Sequence, residues 1–162
     1  MQERIWSVYL SGEIHSDWRE RVAQGIADAG LPVRIDTPVC AHEASDDCGT
    51  AILGAEADAF WHDRKGAAMN AIRTRTLIGE ADVVVVRFGE KYRQWNAAFD
   101  AGIAAAQGTP LITLHEAGTN HALKEIDAAA LATCATPEQV VQTLAYVIRG
   151  TLPGRRDSLA AE

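Results

Sequence analysis

The run Val83-Val84-Val85-Val86, entered through Asp82 and left through Arg87 and Phe88, constrains this chain more than any other segment. Consecutive β-branched residues give a strand with no polar face, so it must be covered on both sides. That describes the middle of a parallel sheet with helices above and below, and argues against an antiparallel sheet with one wet face. The surrounding pattern supplies the partners. Ile5 to Leu10 and Val33 to Asp36 read as strands on either side of a helix whose apolar face is Trp18, Val22, Ile26 and Ala29. Asp17 is placed to cap that helix with Glu20 as its box partner, and Gly30 and Pro32 end it. Further strands are expected at Thr109 to His115 and, more weakly, Leu131 to Cys134.

Helices are expected at Arg64 to Gly79, with Ala68, Met69, Ile72 and Thr76 on one side, and at Arg93 to Gln107, closed by Gly108. The last helix opens at Thr136-Pro137-Glu138-Gln139 with a cap, a first-turn proline and a box partner. It buries Val140, Val141, Leu144, Ala145 and Ile148 and closes at Gly150. The expected fold is a single flavodoxin-like α/β domain over residues 1–150, with a flexible tail over 151–162. Its sheet has five parallel strands in the order 2-1-3-4-5, with helices on both faces. Between Thr37 and Asp63 the pattern dissolves, apart from a short helix at Thr50 to Ala59. A stretch of that length inside a compact domain is usually functional.

Charge narrows the partners. The 162 residues carry a net charge of −7 and no block of Lys and Arg, which argues against duplex nucleic acid and anionic membranes as partners. No apolar run approaches the roughly eighteen residues a membrane span needs. The N-terminus runs into a strand without a signal-peptide core. Cys40, Cys48 and Cys134 are odd in number and unevenly spaced, so the expectation is a soluble protein of a reducing cytoplasm.

In such a sheet a ligand sits beyond the carboxyl ends of the strands where their order reverses, here between strands 1 and 3. The loops brought there are Ser11 to Ser16 and Gly89 to Gln94. Asn96 and Asp100, four residues apart, share one face of the helix that follows, among Trp95, Ala98, Phe99 and Gly102. A carboxylate in that setting either bonds a neighbouring loop or, ionised and facing the crevice, serves as a nucleophile at an acetal-like carbon. His15, Ser16, Asp17 and Arg19 stand where the first helix begins and either hold a phosphate there or are a capped helix with surface charges. Asn70 and Arg73 share a helix face and either contact a base or phosphate or pair with the acidic segment before them. Glu13 and Glu90 are candidate acid partners or ordinary loop acids. Trp61, Tyr92 and Trp95 stack on a base or serve as core or subunit contacts. The spacing of Cys40, His42, Cys48, His62 and Asp63 fits no standard zinc site, so neither a metal nor another cofactor is expected.

Several of these segments resemble a known family. Gln94-Trp95-Asn96-Ala97-Ala98-Phe99-Asp100-Ala101-Gly102, continued to Gly108-Thr109-Pro110, resembles the signature of the nucleoside 2-deoxyribosyltransferases that carries their nucleophilic glutamate. Tyr9-Leu10-Ser11-Gly12 resembles their first strand and loop, and Glu80-Ala81-Asp82 the entry to their third strand. The YtoQ branch of that superfamily is closer still. Tyr9 to Glu20, Asn70 with Arg73-Thr74, and Phe88 to Asn96 all look like it, and the likeness runs from about Ile5 to Ile148.

The resemblance implies the same fold. It puts Asp100 in the nucleophile's place, Tyr9 in that of the tyrosine that positions sugar and nucleophile, and Gly102 in that of the glycine behind the nucleophile. It further implies a small nucleoside or nucleotide as ligand; the candidates to hold it are Gly12, Glu13, His15, Ser16, Arg19, Asn70, Arg73, Gln94, Trp95 and Asn96. A homodimer or higher homo-oligomer is implied as well, because sites in the superfamily are often completed by a neighbouring subunit. Two departures stand out. The nucleophile is an aspartate, one methylene shorter than glutamate. Gln94 replaces the aspartate that assists the departing base six residues earlier, and Glu90 is the nearest substitute.

The implied activity is a deoxyribosyltransferase or N-glycoside hydrolase in which Asp100 attacks C1′, Tyr9 orients, and Glu90 and Asn96 support. The alternative is a non-catalytic nucleotide-binding or sensing module on the same fold. A flavodoxin-type redox protein is disfavoured, since no Ser/Thr/Gly phosphate loop follows strand 1.

Overall fold

The computed structural model describes residues 4–91 and 94–152. Tyr92 and most of the tail expected over 151–162 lie outside the described residues. Five parallel strands, β1 (Trp6–Gly12), β2 (Val33–Asp36), β3 (Val83–Arg87), β4 (Leu111–Leu114) and β5 (Ala132–Cys134), form one sheet in the order β2-β1-β3-β4-β5. The register pairs Val8 with Val83 and Ser11 with Val86, so β1 and β3 run side by side to the carboxyl edge.

Alternation along the strands divides the core in two. Val8, Leu10, Val83, Val85, Ile112 and Leu114 meet α1 (Trp18–Asp28) and α7 (Pro137–Arg149) on one face. Tyr9, Val84, Val86 and Leu111 meet α4 (Ala59–Glu80), α5 (Trp95–Gln107) and α6 (Asn120–Ala129) on the other. The central valines are fully or almost fully buried, as a doubly covered strand requires.

At the start of α7 the Thr136 hydroxyl accepts from Gln139 N at 3.2 Å, and the Gln139 side chain accepts from Ala135 N at 2.7 Å. The first helix starts differently. Asp17 stands at its N-cap but makes no side-chain cap bond. Glu13, four residues earlier, instead accepts from His15 N and from Ser16 Oγ, which gathers the turn without Asp17.

Two helical expectations need correction. The irregular segment contains α2 (His42–Asp46) and α3 (Cys48–Leu53), whereas the helix expected at Thr50 to Ala59 ends at Leu53 and gives way to irregular chain before α4 begins at Ala59. On α4 the face read as buried is largely outside: Ile72 is 70% exposed, and Ala68 and Thr76 are exposed too. Its buried positions are Gly66 and Ile78. The reason is that much of α4 packs on α2 and α3 rather than on the sheet, and it does so through backbone. A Cβ at Gly66 would lie 2.6 Å from Asp46 O, and one at Gly49 would lie 2.6 Å from Gly66 N.

Gly66→Ala therefore sets a gain of about 1 kcal/mol in helix propensity against a clash with α2. The expected outcome is a small change in global stability with α2 and α3 lifted from α4. Amide exchange over residues 45–54 should speed up about tenfold while exchange in β3 is unchanged. Unchanged protection over 45–54 would refute the contact.

Candidate active site

A cleft of about 740 Å³ opens at the carboxyl ends of β1 and β3, within the size range of small-molecule sites. Ser11, Gly12, Glu13, Ile14 and His15 form one side. Asn70, Ala71, Thr74 and Arg75 of α4 form another, and Pro38, Val39, Ser45 and Asp46 close over them. Gln94 and the first turns of α5, with Trp95, Asn96, Phe99 and Asp100, complete it.

The loop after β1 is fixed from three directions. Gly12 sits at φ 102°, where a side chain is strained, and a Cβ there would strike the Arg87 carbonyl, with Arg87 N only 2.8 Å away. Glu13 N donates to that same carbonyl at 3.0 Å. From behind, the Arg19 guanidinium donates to Leu10 O at 3.1 Å, Gly12 O at 2.9 Å and Glu13 O at 2.7 Å. Burial lowers the proton affinity of Arg19, opposed by acidic groups around it, yet a guanidinium stays charged. The Glu13 side chain is buried and lies across Gly89, where a Cβ would clash with it.

Asp100 occupies the second turn of α5, half-buried. Ser11 Oγ, on the sheet floor, donates to its Oδ2. Burial pushes the Asp100 carboxyl above the usual aspartate range, and the Ser11 hydrogen bond partly opposes that. Tyr9, two residues before Ser11 and on the same face of β1, is completely buried. Its hydroxyl has no hydrogen-bond partner among the described residues, although the Thr74 side chain approaches without reaching full geometry. Burial raises the Tyr9 phenol, the negative charge of Asp100 adds to the rise, and Thr74, Arg19 and Arg73 oppose it.

Of the residues singled out in the sequence, Gly12, Glu13, His15, Asn70, Gln94, Trp95, Asn96 and Asp100 line the cleft. Asn70 is partly spent, since Nδ2 donates to Ser45 O at 2.8 Å. Gln94 Nε2 donates to Lys91 O at 2.7 Å. Tyr9 lies beneath the cleft. Ser16 and Arg19 stand behind its wall on internal partners, Arg73 reaches Thr37 O at 3.2 Å, and Glu90 is exposed away from it. At Gly102 a Cβ would meet nothing within 4 Å, so no close approach in this chain demands glycine there.

Ser11 lies in the loop expected at the crevice, but its bond to Asp100 was not anticipated; strand alternation from Tyr9 was the available signal. Asp46, Asp63, Thr74 and Arg75 were not anticipated in the cleft. Thr74 lies four residues beyond Asn70 on α4. His62 bridges Asp47 at 3.0 Å and Asp63 at 3.2 Å, and among the described residues no group of three or more His, Cys, Asp or Glu is placed to hold a metal. None of the described helices is long and apolar enough to cross a membrane.

Comparison with known proteins places the fold and the family. Residues 9–148 match the family model described as nucleoside 2-deoxyribosyltransferase YtoQ. The chain is 41% identical over 140 residues to an uncharacterized protein YtoQ of Bacillus subtilis (strain 168), covering 86% of this chain and 95% of that one. Among solved structures, a conserved protein from Enterococcus faecalis V583 superposes with a TM-score of 0.62 at 13% identity, over 89% of this chain and 99% of the other. A 2-deoxyribosyltransferase from Bacillus psychrosaccharolyticus gives a TM-score of 0.52 at 16% identity, over 85% and 95%. At those identities the structural likeness is one of fold, while the sequence match extends over the β1 loop, α4 and α5 that form the cleft. This chain belongs to the YtoQ family of nucleoside 2-deoxyribosyltransferase-like proteins.

Proposed function

We propose that this protein makes and breaks the N-glycosidic bond of a nucleoside, with Asp100 as nucleophile. The observation that carries the reading is the Asp100 carboxylate itself: half-buried, lining the cleft where the strand order reverses, and bonded by Ser11 on one oxygen. In the reaction a carboxylate oxygen forms a bond to C1′ as the bond from C1′ to the base nitrogen breaks, through an oxocarbenium-like transition state. The electron pair leaves with the base, which takes a proton from water or a cleft side chain. A second base then attacks C1′ through nitrogen, gives its N–H proton to water or a cleft side chain and releases the carboxylate, completing transfer; water in its place, losing one proton in the same way, completes hydrolysis. Ionisation of Asp100 is required, so activity should climb with pH through an acid limb above the ordinary aspartate range.

A neutral nucleoside fits better than a 5′-monophosphate. The anion site at the start of α1 is filled by the protein's own Glu13 carboxylate, which accepts from His15 N and Ser16 Oγ. Three of the five N–H donors of Arg19 are taken by backbone carbonyls. Glu13, Asp46, Asp63 and Asp100 line the cleft against Arg75, a balance that repels phosphate.

A second reading, a module that binds a nucleoside without cleaving it, is favoured by Gln94, whose amide cannot act as an acid. A homo-oligomer is also proposed, supported by the exposed rings of Phe60, Trp61, Trp95 and Phe99. Base release should be followed by chromatography for ribo- and deoxyribonucleosides and their 5′-monophosphates, with and without an acceptor base. Release from a nucleoside supports the enzyme, and acceptor dependence separates transferase from hydrolase. Tight binding of an intact nucleoside supports the module, and preferred cleavage of monophosphates would overturn the assignment of Glu13.

A further inference from the structure

We propose that Ser11 is a positioning residue for Asp100: it ties Oδ2 to the sheet and leaves Oδ1 as the attacking atom. The inference rests on Asp100 being the nucleophile and adds what aims it. An aspartate side chain has a carboxyl torsion that rotates broadly, so an unrestrained carboxylate presents either oxygen in many directions. Among the described residues, the hydrogen bond to the Asp100 side chain comes from Ser11 Oγ, on its Oδ2.

The donor is itself held firmly. Ser11 is 1% exposed and sits within β1, paired with Val86 in the middle of the sheet. Arg19 grips the carbonyls of Leu10 and Gly12, immediately before and after it, at 3.1 and 2.9 Å. Strand alternation turns the Ser11 side chain toward α5, the same side as Tyr9. One oxygen of the nucleophile is thus referred to the most rigid element of the fold rather than to a loop, and preorganised geometry of this kind is worth most in the transition state. In the attack, the Oδ1–C1′ bond forms and the C1′–N bond breaks. Ser11 keeps its proton throughout and supplies only direction and charge stabilisation.

The test is Ser11→Ala in the full-length chain, with Ser11→Cys as a weaker donor of similar size. With a nucleoside that the wild type cleaves, kcat should fall about tenfold to a hundredfold, the range of one hydrogen bond to a charged group. KM should stay within about twofold, the acid limb of kcat/KM should move to higher pH, and Ser11→Cys should fall between. In parallel, the Asp100 carboxyl is titrated by carbon NMR on labelled protein, its resonance identified by its loss in Asp100→Asn. The midpoint should rise in Ser11→Ala. Unchanged kcat with an unchanged midpoint overturns the proposal, and so does a rise in KM alone, which would make Ser11 a ground-state binding group. If the wild type cleaves no nucleoside, the reading of the function fails. The carboxyl titration then decides by itself whether Ser11 holds the Asp100 carboxylate, a moved midpoint supporting that contact and an unmoved one overturning it.

Discussion

Asp100→Asn is expected to abolish base release, by at least about a thousandfold, and at the same time to make the protein more stable at neutral pH. The loss follows from chemistry: an amide is not a nucleophile at C1′, and removing a covalent nucleophile leaves only what binding and orientation supply. The gain follows from burial, which pushes the Asp100 carboxyl above its ordinary range. The folded state therefore binds this proton more tightly than the unfolded state does. Its contribution is fully favourable below the ordinary aspartate value and is lost as pH rises from there through the higher folded value. Above that window the wild type carries a desolvated charge, whereas asparagine carries none and still accepts a hydrogen bond from Ser11.

A gain of about 1 kcal/mol, or roughly 2–4 °C in Tm for a chain of this size, is expected at pH 7. The two melting curves should converge toward pH 3. Thermal melts at a series of pH values, run beside the release assay, check both halves. A variant that is inactive but no more stable would mean that Asp100 is well solvated. One that is more stable and fully active would remove it from the chemistry.

The largest structural effect is expected at Gly12. Gly12→Ala should cost about 3–5 kcal/mol, measured as a fall in the urea midpoint or as loss of soluble folded protein. Two independent penalties act there. The residue lies at φ 102°, outside the small left-handed region that side chains tolerate, and the new methyl would run into the backbone of Arg87 at the end of β3. Neither obstacle is a flexible side chain that can swing aside. To relieve them β1 must part from β3, which breaks the Glu13 N to Arg87 O bond and takes Ser11 away from Asp100. Surviving folded protein should therefore also show defective cleavage. By contrast, Gly102→Ala, where a methyl meets nothing, should be stable.

The sheet was readable because its signals are local. Val83 to Val86 demand cover on both faces whatever surrounds them. Thr136, Pro137 and Gln139 spell out a helix start in residues that touch one another. The helix over residues 120–129 was missed because it is short and carries few large apolar residues and no capping side chain, although its pattern is amphipathic. Leu123 is its one buried residue, Ile126 packs beside it, and Thr119 makes no side-chain cap bond, so packing against the sheet sustains it. The face of α4 was misread because periodicity says which residues are alike, not what comes to lie on them; two short helices meet it through glycines.

By itself, then, the sequence determined the order of strands and helices, the crevice between β1 and β3, and the placing of Asp100, Asn96 and Glu13 around it. Each of these follows from periodicity, chain connectivity or a spacing within one helix. Only the tertiary structure decided the partners. Arg19 and Ser16 looked suited to a phosphate and Glu13 to a part in acid catalysis, yet one guanidinium folds back onto three carbonyls and one carboxylate closes its own helix start. Ser11 was expected at the crevice as a loop residue, but its bond to Asp100 depends on α5 crossing above it. Hydrogen-bond donors are satisfied by whatever the fold brings within about 3 Å, and for Ser11 and Asp100 that proximity joins segments 89 residues apart.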